Sequence, residues 1–246
     1  MKTKLTAIIL TILGLGITTT TKAQDLTAYL EKKIINKNMF YGMNFVDEKT
    51  GKDKAMMQPY IEITKGPITY ANWTNFDLKN GRTDEIDHTL KLTKQYELGQ
   101  KDNITISPSI AMYTFPNSNL KDEKAIALET TYTGNTMPFD INIRIEKILN
   151  GQKTNGVLIN STISKTTNIT NNITSTAKTS TAFNNKYFSN NSGITHFDIS
   201  ANISYNLGKG LAITAEGTYQ QKIDKEFKQL IKTEPYFKFA ISKSIE

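Results

Sequence analysis

The chain has 246 residues, 30 Lys and Arg against 23 Asp and Glu, and no cysteine. That length suits one sizeable domain, and the missing cysteine excludes a disulfide framework, a thiolate zinc site, a Cys nucleophile and a lipoprotein anchor. Residues 1–23 hold Lys2, Lys4 and Lys22 and no acid, so the remainder carries 27 basic against 23 acidic groups, a net +4 too mild for a nucleic-acid partner.

Lys2 and Lys4 form a positive start, 5–17 is apolar, and Thr21-Lys22-Ala23 puts small residues at −3 and −1 before Gln24. This predicts a signal peptide over 1–23 and export. The apolar run is too short for a comfortable span, which disfavours the alternative of an uncleaved anchor helix. A short N-terminal periplasmic segment is expected over 24–37, with a helical turn capped by Asp25 that shows Leu26, Tyr29 and Leu30 on one face. No later stretch is long and apolar enough for a membrane helix.

From residue 38 to 246 the dominant pattern has period 2. Phe139, Ile141, Ile143 and Ile145 alternate with Asp140, Asn142, Arg144 and Glu146, and Phe197, Ile199, Ala201, Ile203 and Tyr205 alternate with Asp198, Ser200, Asn202 and Ser204. Such alternation makes strands with one apolar and one polar face. About twelve strands are predicted: 38–47, 57–65, 67–78, 84–96, 103–115, 123–133, 138–149, 155–165, 169–183, 193–206, 210–221 and 233–244. The segment 169–183, mostly Thr, Ser and Asn, has the weakest pattern. A second helical stretch is expected at 223–231, with Ile223, Phe227, Leu230 and Ile231 on one side, as a surface helix or a lumen constriction.

Short joints near 65–67, 99–100, 134–135, 167–168 and 208–209 alternate with mostly longer ones at 48–56, 79–83, 116–122, 150–154, 184–192 and 222–232. A transmembrane barrel has this rhythm, with tight periplasmic turns and longer outer loops. The expected fold is therefore all-β, an antiparallel transmembrane β-barrel of about 12 strands with both termini periplasmic. Tyr60, Tyr70, Phe76, Tyr96, Tyr132, Phe139, Phe197, Tyr205, Tyr219 and Phe237 fall near strand ends and are expected to form aromatic belts at the two lipid interfaces.

Over 56–134, about a third of the chain, four motifs occur in order: Gln58-Pro59-Tyr60, Tyr70-Ala71-Asn72-Trp73-Thr74-Asn75-Phe76-Asp77, Glu85-Ile86-Asp87 and Tyr113-Thr114-Phe115-Pro116. Their order resembles the TorF-type porin family of small bacterial outer-membrane β-barrel proteins, with Phe115 where that family has a second Tyr. The resemblance implies an outer-membrane barrel with a pore function and supplies no catalytic residues. The sequence ends on Glu246, where many such barrels end on an aromatic residue.

By parity the lumen receives Glu62, Asp87, Lys91, Glu97, Glu129, Asp140, Arg144, Glu146, Asp198, Glu216 and Lys238. So many charges are tolerable in a wetted lumen, or as an ion-paired plug with no conduction. The acid excess favours cations. His88 shares the outward parity of Ile86 and Leu90. A lipid-face hydrolase with a Ser two residues after its His would need Ser where Leu90 stands, so an interfacial or loop-proximal His is expected and no enzyme. His196 and Asp198 share one face, too few ligands for a metal. No cofactor is expected, and the partners are outer-membrane lipid and small polar solutes or ions. The expected function is a porin-like channel for passive diffusion, cation-leaning; the alternative is a non-conducting structural or adhesive barrel.

Overall fold

The structure, a computed structural model, describes residues 26–36, 39–40, 43–44, 55–99, 101–117, 121–150, 156–187, 191–224, 227 and 233–245. The expected signal peptide lies outside these residues, as does most of the expected 223–231 helix. Twelve strands form the wall: β1 Leu26–Ile35, β2 Met56–Lys65, β3 Ile68–Asp77, β4 in two pieces (Arg82–Leu92 and Lys94–Leu98), β5 Asp102–Thr114, β6 Glu123–Gly134, β7 Asp140–Asn150, β8 Val157–Asn168, β9 Ile173–Asn185, β10 Ser192–Gly208, β11 Leu211–Lys222 and β12 Glu234–Ile245. Each pairs antiparallel with its sequence neighbours. β1 then pairs with β12, from Ala28↔Ile245 to Ile35↔Lys238, and closes the barrel.

The start of the barrel corrects the sequence reading. Residues 26–35, expected to be a periplasmic segment with a helical turn, are the closing strand. Within 38–47, expected as the first strand, the described residues form only a short hairpin of Met39–Phe40 with Met43–Asn44. β1 reads poorly as a strand because Lys32 interrupts its outer face, while Tyr29 and Ile35 sit on its inner one.

The strands join through 66–67, 99–101, 135–139, 169–172 and 209–210 at one end, and through 36–55, 78–81, 115–122, 151–156, 186–191 and 223–233 at the other. Leu26 and Ile245 lie at the short-turn end. The turn at Gly208-Lys209-Gly210 needs three positive φ angles (87°, 51° and 73°), which two glycines tolerate without strain. β4 is interrupted at Thr93, opposite the stretch of β5 that contains Pro108, whose nitrogen has no hydrogen to give the ladder.

The wall is inverted relative to a soluble protein. Ile61, Ile63, Ile110, Leu128, Ile143, Ile145, Ile199 and Ile203 are exposed on the outside, while Gln58, Asn75, Ser107, Glu146, His196, Ser200 and Gln220 are buried inside. Lys32 and Lys147 interrupt the outer face, both in the half of their strands nearer the long connections, where a lysine stem reaches toward water. On the outer face Tyr70, Asn72 and His88 stand together, with His88 Nδ1 2.9 Å from the Tyr70 hydroxyl and 3.4 Å from Asn72 Nδ2. His88 is thus satisfied within the wall rather than placed beside a loop.

The aromatic residues sort by level. Tyr70, Tyr96, Tyr132, Phe139 and Tyr205 lie toward the short turns, and Phe76, Phe197, Tyr219 and Phe237 toward the long connections. Tyr60 does not join a belt. It shares the inward parity of Gln58, packs edge-on against Tyr29 at 6.1 Å and donates to the Glu62 carboxylate. Its phenol oxygen gains a polar partner inside that the outer face lacks.

Candidate functional site in the lumen

All eleven charged residues assigned to the lumen by parity lie on the inward side of the wall. They do not form one site. Glu97 is exposed at the short-turn rim, and Lys91, Asp140 and Glu62 line the wall. Most of the others gather into two clusters on different parts of the barrel.

The first cluster spans β4–β7. Glu146, only 1 % exposed, accepts from Tyr113 Oη at 2.6 Å, Arg144 Nε at 3.0 Å and the Tyr187 hydroxyl. Arg144 Nη1 stands 3.9 Å from Glu129, which also accepts from Asn142 Nδ2 at 2.7 Å. Asp87 lies beside Glu85, within electrostatic range of Glu146. A buried carboxylate needs this many donors, because leaving water costs an ion several kcal/mol.

Tyr187 belongs to the connection 186–191 rather than to a strand, and it folds into the mouth. Its backbone N–H donates to Asn184 Oδ1 at 3.1 Å, and Asn184 Nδ2 donates to the Asn191 carbonyl at 2.6 Å, bracing the loop. The loop can settle there because residue 156 is glycine: a Cβ on Gly156 would sit 2.4 Å from the Lys186 carbonyl oxygen. Around Tyr187 the inward side chains turn apolar, with Ala111, Tyr113, Ala125, Ile148, Leu158 and Ala182 in one cluster and Phe115 against it. Ile35, Met56 and Tyr236 form a second one, and Phe227 from the last long connection is also buried. The long-connection end of the lumen therefore mixes apolar groups, which parity of the charged residues does not reveal, with buried Asn75, Asp77, Asn184 and Gln220.

The second cluster lies on β1 and β9–β12. Lys238 Nζ is 2.7 Å from Glu216 Oε1, and Lys178 Nζ is 3.9 Å from the same atom. Lys33 pairs with Glu31 at 2.8 Å, and Tyr29 donates to the other Glu31 oxygen at 3.1 Å. His196 is buried, with Nδ1 2.7 Å from Thr195 Oγ1 and Nε2 3.5 Å from Asp198 Oδ2. Lys33, Lys178, His196, Asp198, Glu216 and Lys238 line a cavity of about 240 Å³.

Parity missed Lys33 and Glu31 because β1 was not read as a strand. It missed Lys178 because 169–183 gave too weak a rhythm to follow, although Thr174, Thr176, Lys178 and Ser180 do alternate. No group of three or more His, Asp or Glu among the described residues is arranged to hold a metal ion.

The closed ring, its twelve strands and its inverted wall decide the comparison with solved structures. The fold is that of a twelve-stranded porin barrel. A KdgM porin superposes with TM-score 0.55 at 8 % identity, covering 89 % of this chain and 99 % of that one. A KdgM porin in complex with disordered oligogalacturonate gives TM-score 0.53 at 6 % identity over 89 % and 99 %. The NanC porin gives 0.54 at 11 % identity over 87 % and 98 %. No protein-family model matches the sequence, and no curated protein matches it.

Proposed function

We propose that this chain is an exported outer-membrane porin of the TorF type, a non-enzymatic channel for passive diffusion of small polar solutes or ions. The observation that carries the reading is the inverted wall: isoleucines and leucines outside, buried Gln, Ser, His and carboxylates inside. Lipid removes the reason for apolar side chains to face inward, and a closed barrel satisfies every backbone group without water. The short turns and both barrel termini then face the periplasm and the long connections face outward.

The lumen leans toward cations. Glu31, Glu62, Glu85, Asp87, Glu129, Asp140, Glu146, Asp198 and Glu216 face inward against Lys33, Lys91, Arg144, Lys178 and Lys238. Fixed acids raise the local concentration of cations in a narrow aqueous path. The test is planar-bilayer conductance of the refolded protein from Gln24 on, with the reversal potential under a salt gradient. Discrete steps with a cation-signed potential are expected. The buried side chains crowded around Tyr187 and Phe227 at the long-connection end favour a second reading, a closed structural or adhesive barrel. A folded protein that inserts and gives no steps would establish that reading instead.

Burial of the outer face in lipid has its own test. Ile199 is 56 % exposed in the middle of β10. Ile199→Arg is expected to destabilise the barrel by about 2–4 kcal/mol, the cost of an arginine near the bilayer midplane. The inward-facing Asn202→Arg is expected to cost much less. Urea unfolding in vesicles compares the two, and equal losses would show that the outer face does not meet lipid.

A further inference from the structure

The cavity on β1 and β9–β12 contains an unmet acceptor beside incompletely used donors. Asp198 is 7 % exposed. Its Oδ2 has His196 Nε2 and Ser180 Oγ, each at 3.5 Å, while its Oδ1 is buried with no hydrogen-bond partner among protein groups. A buried carboxylate oxygen without a donor is unfavourable, because it has given up water for nothing. Lys178 and Lys238 are close enough for Asp198 to feel their charge. Lys238 is committed to Glu216, but Lys178 Nζ stands 3.9 Å from it, beyond direct hydrogen-bond length. Lys33 opens onto the same space.

The charges limit what can fill it. A simple anion would satisfy the lysines but meet Asp198 and Glu216. A simple cation would satisfy Asp198 Oδ1 but do nothing for Lys178, which stands 3.9 Å from Glu216, while Lys33 and Lys238 already pair with Glu31 and Glu216. A neutral polyol would hydrogen-bond both sides but bring no opposite charge to either. A molecule carrying an ammonium and a carboxylate a few ångströms apart satisfies both sides with charge-assisted hydrogen bonds, roughly twice as strong as neutral ones. At about 240 Å³ the cavity falls below the 300 Å³ or so where drug-sized pockets begin, so the occupant is small. We propose that this cavity is a binding subsite for a free α-amino acid, with its ammonium on Asp198 Oδ1 and its carboxylate on Lys178 and Lys33. The proposal deepens the channel reading in that it rests on a lumen reached by solutes, but it does not need conduction from end to end.

The test is equilibrium dialysis of the refolded, detergent-solubilised protein with labelled L-serine. L-Lactate, which lacks the ammonium, and ethanolamine, which lacks the carboxylate, serve as competitors. Saturable serine binding is expected, with each competitor at least about tenfold weaker. Asp198→Asn and Lys178→Met are each expected to weaken serine binding at least about tenfold. Folding is read separately from heat-modifiable gel mobility, and if one variant fails to fold the other carries the test. No saturation at roughly 10 mM serine, the weak end of specific affinity, would overturn the proposal. Lactate competing as well as serine would also overturn it, by showing a plain anion site. Serine binding by a protein that gives no conductance would keep the subsite and remove the channel. Conductance without saturable serine binding would do the reverse.

Discussion

Deleting Leu26–Ile35 is expected to abolish the folded barrel. β1 supplies pairs to both neighbours, from Leu26↔Lys65 to Ile35↔Met56 on one side and from Ala28↔Ile245 to Ile35↔Lys238 on the other. Without it, β2 and β12 present open edges. Each backbone group left unpaired away from water is unfavourable by several kcal/mol, and a handful exceed the roughly 5–15 kcal/mol that holds a typical protein folded. The gap does not heal by direct closure. Neighbours alternate in direction around the ring, so β2 and β12 run the same way and would have to form a parallel pair. The measurement is heat-modifiable migration and protease resistance after refolding into vesicles. A deletion protein that migrates and resists protease like the full chain would show that β1 is not needed for closure. The experiment also separates the observed barrel start from the sequence-based one, because a protein beginning at residue 38 would retain every strand that periodicity assigns.

Glu146→Ala is expected to destabilise the barrel by about 3–5 kcal/mol, the usual loss when one member of a buried ionic cluster is removed. The side chain is 1 % exposed and takes bonds from Arg144, Tyr113 and Tyr187, so the change disturbs an ion pair and two phenol contacts together. It also removes the group that holds Tyr187 in the mouth. Larger conductance steps are therefore expected alongside lower stability. Tyr187→Phe separates the effects: it removes the hydroxyl contact with Glu146 and leaves Arg144 and Tyr113 in place. A smaller stability loss is expected, with steps that still increase. Urea unfolding followed by the single Trp73 gives the first readout and bilayer recording the second. Unchanged stability in Glu146→Ala would show that the carboxylate is not structural, and unchanged steps in both variants would show that Tyr187 does not narrow the path.

Most strands of the second half, 169–183 apart, are legible because each side chain there meets one of two opposite environments. Ile141, Ile143 and Ile145 all face outward and Asn142, Arg144 and Glu146 all face inward, and only Lys147 outside and Ile148 inside break the alternation that follows. The same rule fails where residue type is ambivalent. Tyr60 carries an apolar ring and a hydroxyl and by type suits either side, but its parity with Gln58 and Glu62 sets it inside, where the β1–β2 register brings Glu31 opposite it. Lys32 on the outer face and Ile35 on the inner face blur β1 in the same way. Tyr187 was hidden for another reason: it stands in a connection, where no period applies.

The sequence by itself determined the closed antiparallel barrel, its approximate strand number and the sorting of short and long connections. These follow from local patterns a few residues long, and period 2 carries them. The tertiary structure alone decided which segment closes the ring, which charges share a wall, and what lines the mouth. Ala28 meets Ile245, Lys238 meets Glu216 beside Lys178, and Tyr187 meets Glu146. Such meetings depend on register around the whole ring and on where a loop settles. A one-residue slip would send each of the strand side chains among these to the other face, and no single segment encodes that choice.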